Sequence, residues 1–215
     1  MKRHTFLAAI LLLALARSAQ ADYFQTFNTG VTVPDGSLVG WSDTHVLSGI
    51  SGSVSNVSVT LNLSGGWNGD LYAYLVHDSG FTILLNRVGR ATGNDPGFGN
   101  AGMNVILNDN TLLGNIHSVP VPTSLGVYQP DGRNIDPRTL AASFNDLVNP
   151  TAPLSVFNGA NPNGSWTLFV ADVQSGDATQ VASWSLGFET VPEPSTIACF
   201  GLGIAALLIS RRRKA

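Results

Sequence analysis

The segment VSVTLNL, residues 57–63, alternates without a break: Val57, Val59, Leu61 and Leu63 are apolar, while Ser58, Thr60 and Asn62 are polar. Successive side chains of a strand point to opposite faces, so this pattern makes a strand with one dry face and one wet face. The same signal returns along the chain. Trp166, Leu168 and Val170 share one strand face, and so do Trp184, Leu186 and Phe188, with Ser183, Ser185 and Gly187 opposite. Residues 70–76 are apolar on both faces, as suits a strand nearer the middle of a sheet, and 81–85 read as a further strand. Clusters of Gly, Asn, Ser, Asp and Pro punctuate these runs, at 64–69, 77–80, 161–164 and 174–177. Only 137–145 reads as a helix, with Asp136 placed as N-cap and Pro137 in its first turn. Residues 22–190 therefore read as an all-β sandwich or barrel.

Both ends differ from this middle. Residues 1–21 start with Lys2 and Arg3, run apolar from Phe6 to Ala16, and exit through Ala19-Gln20-Ala21. That is the pattern of a secretory signal, with Ala19 and Ala21 at the positions signal peptidase reads. At the other end, residues 197–209 form a 13-residue apolar run closed by Arg211, Arg212, Arg213 and Lys214. A comfortable membrane crossing takes about 20 apolar residues, so this segment is a marginal single-pass tail. The basic cluster is expected to stay cytoplasmic, which leaves the preceding domain outside. The single cysteine, Cys199, lies in that apolar run and reads as filler, so the exported domain is expected to stand without a disulfide.

Removing the ends exposes the charge of the middle. From Asp22 to Thr190 the basic residues are Arg87, Arg90, Arg133 and Arg138, against thirteen acids, a net charge of −9. Such a domain repels polyanions, which argues against a nucleic-acid partner.

Two stretches carry a resemblance to known families. Val191-Pro192-Glu193-Pro194-Ser195-Thr196, the apolar run and the terminal arginines resemble a PEP-CTERM sorting signal, with Pro192, Glu193 and Pro194 as the motif. The resemblance implies a Gram-negative, exopolysaccharide-producing host. It also implies a tail held transiently in the inner membrane and cut near the motif by an exosortase. The second resemblance rests on VSVTLNLSGGWNGDLYAYLVHDSG (57–80) and FNGANPNGSWTLFVADVQSGDATQVASWSLGF (157–188). These are similar to the P domain, or Homo B domain, of subtilisin-like proprotein convertases, over residues 40–189. The resemblance implies a jelly-roll-like β-sandwich that stabilises a neighbour and does no chemistry. The chain departs from that family in carrying no protease domain or protease motif. The expected organisation is a signal peptide at 1–21, a P-domain-like sandwich at 22–190, and a sorting and anchor helix at 191–215.

Little here points to catalysis. His77-Asp78-Ser79 has the letters of a triad, but adjacent turn residues do not align nucleophile, base and orienter. His45 and His117 have no second ligand at zinc spacing. The Gly-dense stretch 93–102 lacks the Lys-Ser/Thr of a phosphate loop and reads as a surface loop. Calcium is the one candidate cofactor, because Asx-rich loops supply the oxygens it takes; Asp70, Asp172 and Asp177 are its candidate ligands. Trp41, Trp67 and Tyr128 are candidates for stacking on sugars, whereas Trp166 and Trp184 belong to the core. The sequence reads as an exported, non-catalytic protein of the cell surface or exopolysaccharide matrix with a structural or interaction role. A calcium-dependent carbohydrate-binding or adhesive module, and a secreted hydrolase with an unfamiliar site, are the alternatives.

Overall fold

The runs singled out by alternation meet side by side. In the computed structural model, which describes residues 21–120, 126–145 and 152–192 together with 201, 203 and 204, Val57, Val59 and Leu61 lie opposite Phe188, Leu186 and Trp184. Ala73 and Leu75 lie opposite Val170 and Leu168. The strands are β1 (Ala21–Thr32), β2 (Ser37–Leu47), β3 (Ser53–Trp67), β4 (Leu71–His77), β5 (Gly80–Asn86), β6 (Ala101–Leu107), β7 (Gly126–Tyr128), β8 (Gly164–Asp172) and β9 (Thr179–Val191). They form one sheet in the order β1-β9-β3-β6-β7 and a second in the order β2-β8-β4-β5. All pairings are antiparallel except β6 with β7. The protein is a two-layer β-sandwich, as the strand pattern requires.

The core lies between the sheets. Trp166 of β8 and Phe188 of β9 approach to 4.8 Å between ring centroids, and Phe157 stands edge-on to Trp166 at 5.0 Å. Both buried indoles find an acceptor: Trp166 Nε1 donates to the Pro162 carbonyl and Trp184 Nε1 to Asp43 Oδ2, each at 2.9 Å. A side chain of this size, fully withdrawn from water, contributes roughly 1.5–3 kcal/mol. Along one open side, Phe27 of β1 stacks on His45 of β2 at 3.7 Å and joins the two sheets.

Two local expectations are corrected. The Ser64–Gly69 stretch does not end β3, which continues to Trp67 through an irregular register between Leu63 and Trp67. Gly65 and Gly66 hold positive φ values of 68° and 57°, so the pair makes a bulge where a turn was expected. The helix expected at 137–145 is a turn followed by a short 3-10 segment, Ala141–Phe144. Asp136 Oδ1 accepts the Arg138 amide and the Asp136 carbonyl accepts the Thr139 amide, which closes a β-turn. Leu140 then turns extended, at φ −58° and ψ 145°. An Asp that bonds its own neighbouring backbone competes with the helix it was expected to cap.

Among the described residues, no helix is long and apolar enough to cross a membrane. Residues 1–20, which hold the expected signal, lie outside the described residues, as do Glu193, Pro194 and the basic cluster.

Candidate functional site

The register of β4 against β8 brings two of the three candidate acids together at one end of the sandwich. Leu71 pairs with Asp172, and the Val173 amide donates to the Asp70 carbonyl at 2.8 Å. Asp172 is fully buried. Its Oδ2 accepts from the Thr179 hydroxyl at 3.1 Å and the Thr179 amide at 3.3 Å, while its Oδ1 has no hydrogen-bond partner among the described residues; the Gln174 backbone adds a weaker pull on the carboxyl. Thr179 opens β9 and faces the bulge of β3, where Gly66 leaves room for its side chain.

Asp70 is buried too, and the nearest cation is Arg87. The Arg87 guanidinium donates to the Gly69 carbonyl at 2.7 Å through Nε and reaches Asp70 Oδ1 at 3.4 Å. Arg87 is also the one non-glycine residue with positive φ, 50°, among the described residues. A residue in that region is held there by its surroundings.

The electrostatics follow from burial. Desolvation raises the Asp70 carboxyl to about 6; Arg87 pulls it down, while Asp172 and Asp35 push it up. Burial likewise raises Asp172, against the pull of its bonds to Thr179. Asp70 is thus paired with a guanidinium that is itself lowered chiefly by burial, while Asp172 makes no ion pair with it. The raised carboxyl of Asp70 is a group that can hold a proton near neutral pH.

Asp177, the third candidate, stands exposed on the β8–β9 loop and does not join the pair. Among the described residues, no group of three or more His, Cys, Asp or Glu side chains gathers to hold a metal.

The histidines are tied into the structure. His77 Nδ1 lies 2.8 Å from the Ser79 hydroxyl, Nε2 lies 3.2 Å from the Asn163 carbonyl, and the ring stacks on Trp166 at 4.1 Å. His45 Nε2 lies 2.9 Å from Asp43 Oδ2, the oxygen that also takes the Trp184 indole. His117 is the surprise. Its Nδ1 meets Asp131 Oδ2 at 2.7 Å and its Nε2 meets the Arg90 carbonyl at 3.0 Å. Asp131 also accepts from Arg133 at 2.6 Å. No spacing rule links His117 to Asp131, since both come from irregular segments.

His117 borders a pocket of about 240 Å3 lined by Gly89, Ala91, Phe98, Ser118, Phe144 and Asn145 as well. Among the described residues it is the one titratable side chain of that lining, and both its nitrogens are already bonded. A second titratable group for acid–base work is not among the lining residues. Of the aromatics considered for sugars, Trp67 is exposed, Trp41 is half-buried against the core, and Tyr128 is buried at 4 % exposure. Tyr128 is thereby withdrawn from any ligand.

Residues 190–214 match the family model described as the PEP-CTERM protein-sorting motif. That signal implies an exported protein, routed through the membrane to the cell surface and processed by exosortase. No curated protein matches the chain. Among solved structures it is similar to the serine protease of Aeromonas sobria in complex with its chaperone, at 16% identity and a TM-score of 0.46 over 86% of this chain. It is similar also to that serine protease by itself, at 17% identity and a TM-score of 0.44 over 84% of this chain. The chain spans 29% of the length of the matched protease chain in both.

Proposed function

We propose that the chain is an exported, non-catalytic β-sandwich of the P-domain type that works as a structural or interaction protein at the cell surface or in the exopolysaccharide matrix. Signal peptidase cuts after Ala21, reading Ala19 and Ala21. The apolar run and Arg211, Arg212, Arg213 and Lys214 hold the tail in the inner membrane until exosortase cuts near Pro192, Glu193 and Pro194. The sorting match at 190–214 carries this reading. The engagement of both ring nitrogens in His77 and in His117 supports its non-catalytic side.

The test is the intact mass of the protein recovered, fraction by fraction, from its host. A surface or medium form starting at Asp22 and ending near Pro192 is the expected result. A full-length C-terminus confined to membranes would sink the sorting part of the proposal.

Calcium dependence is a second reading, favoured by the unpartnered Oδ1 of a fully buried Asp172 beside Asp70. Calcium is expected to raise the melting temperature of the protein but not of Asp172→Asn. Equal shifts in the two would remove Asp172 from the site, and an unchanged calcium affinity in Asp177→Asn would remove Asp177.

A further inference from the structure

The outward face of the four-stranded sheet is aromatic and its strand positions carry no charge; the charge that acts on it, at Tyr72, comes from Asp136 on the β7–β8 connection. Along β4, Tyr72, Tyr74 and Val76 alternate with the buried Leu71, Ala73 and Leu75, so the two tyrosines point away from the core. Register carries the face sideways. Tyr74 lies opposite Phe169 of β8, Val76 lies opposite Phe81 of β5, and Thr44 of β2 lies opposite Thr167 of β8. Tyr74 stacks on Phe169 at 4.6 Å, meets Phe81 at 5.1 Å, and takes Tyr72 edge-on at 5.8 Å. All four rings are half-buried, each leaving part of its surface to solvent.

Two features set this face apart. The exposed side of an antiparallel sheet is ordinarily its polar side, yet the centre of this one is four rings. No outward position paired across these four strands holds Asp, Glu, Lys or Arg; Asp43 and His45 of β2 point inward, to Trp184 and Phe27. The rings are fringed instead by hydroxyls. Thr44 and Thr167 bond each other at 2.8 Å, and among the described residues neither the Tyr72 nor the Tyr74 hydroxyl has a partner. Room for the Phe169 ring is built in: a Cβ on Gly40 would lie 2.5 Å from it.

We propose that this face binds a neutral polysaccharide, with Tyr74 and Phe169 as the central stacking pair and Tyr72 and Phe81 beside them. The faces that Tyr74 and Phe169 turn to each other are spent on their own stack, so it is the ring surface left to solvent that meets the C–H side of a sugar ring, while the fringing hydroxyls meet its O–H groups. Charge selects among ligands. A module of net charge −9, with Asp136 acting at Tyr72, repels an anionic chain, and the strand positions of the face hold no carboxylate to pair with a cationic one. An uncharged, hydroxyl-rich polymer is the ligand that suits rings, hydroxyls and strand positions without a charge together. The inference deepens the proposed matrix role and rests on it for the presence of such a polymer around the protein.

The experiment uses the protein recovered from its host in whichever fraction holds it. It is run on native gels containing hydroxyethylcellulose, dextran, galactomannan or polygalacturonate. Retardation by at least one neutral polymer and not by polygalacturonate is expected, unchanged when salt is raised about tenfold. Tyr74→Ala and Phe169→Ala each weaken that binding by about tenfold. Tyr74→Phe retains the stack and most of the binding, and Phe24→Ala on the other sheet retains all of it. Melting temperatures are read alongside, and the salt and polygalacturonate arms need no variant. Free migration in all three neutral gels, equal retardation by polygalacturonate, or full binding by a folded Tyr74→Ala would each overturn the proposal. So would a dimer that Tyr74→Ala dissociates, since a second copy would then cover the face. A protein cut and surface-located but not retarded loses the sugar site alone. One that is retarded yet keeps its full tail in the membrane loses the sorting reading alone.

Discussion

Thr179 bonds one oxygen of the Asp172 carboxylate twice, through its hydroxyl and its amide, while the other oxygen has no hydrogen-bond partner among the described residues. A buried charge satisfied on one side only is a cost to the fold at any pH where it is ionised. Burial raises Asp172 above the usual carboxylate range. The native state therefore holds the proton more tightly than the unfolded chain, and stability falls as pH rises through that raised range. Asparagine keeps an oxygen for Thr179 and removes the charge. In the presence of chelator at pH 7, Asp172→Asn is expected to melt a few degrees above the parent, and near pH 3 the two should converge. A lower melting point for the variant at pH 7 would mean the charge is already compensated.

Asp70 extends the same argument with a defined window. Its carboxyl is raised from 3.8 to about 6, first by burial, so the folded protein binds more protons than the unfolded one between those values. Stability attributable to this group is highest below the unfolded value. It declines as pH rises through the window and stays lower above it. After allowance for solvent screening the loss is on the order of 1–2 kcal/mol. Urea unfolding between pH 4 and 7 should show this decline in the parent and a flatter profile in Asp70→Asn. Identical profiles would count against a buried, protonatable Asp70.

The strands that sequence discloses are those whose inward positions are apolar along their middle, whatever stands at their ends. β3, β8 and β9 keep Val, Leu, Trp and Phe in alternation because both neighbours on their inner face are hydrophobic. β2 is hidden because its inward residues include Asp43 and His45, which are polar yet satisfied by Trp184 and stacked on Phe27. β1 is obscured by Phe24, which points outward and spoils the period. At the site, Asp70 and Asp172 are visible as Asx-rich loop ends, but their meeting depends on the β4–β8 register across about a hundred residues. Asp177 sits in the same kind of loop and turns to water. Asp131 and His117 share no spacing signature, since a long-range contact between irregular segments leaves none.

Gly66 couples the bulge of β3 to the acidic cluster. It sits at φ 57°, and an added Cβ would collide with the Thr179 hydroxyl that serves Asp172. Gly66→Ala then combines a left-handed backbone penalty with the loss of a buried hydrogen bond, about 3 kcal/mol in all. Gly99 also lies in a loop of this end of the chain, but nothing stands within 4 Å of its Cβ position and its φ is unstrained. Chemical denaturation of the two alanine variants should separate them clearly. A Gly66→Ala protein as stable as Gly99→Ala would show that the bulge yields without disturbing Thr179.

Asp131 is the acceptor on which the least visible part of the core depends. It takes His117 Nδ1 at 2.7 Å, Arg133 NH1 at 2.6 Å and the Asn86 amide at 3.1 Å, and it is 1 % exposed. Arg133 is buried as well; among the described residues its Nε and second terminal nitrogen have no hydrogen-bond partner, and its other terminal nitrogen pairs with Asp131 as counterion. Alanine at 131 strands a guanidinium, an imidazole N–H and an amide at once. Removing one side of a buried ion pair costs about 3–5 kcal/mol. Asp131→Asn keeps two of the acceptor contacts and should cost less. The double variant Asp131→Ala/Arg133→Met should recover part of the loss, because it takes away the orphaned charge. Urea midpoints for the three proteins decide the matter: no recovery in the double variant would place the damage in His117 and the Asn86 amide, and not in Arg133.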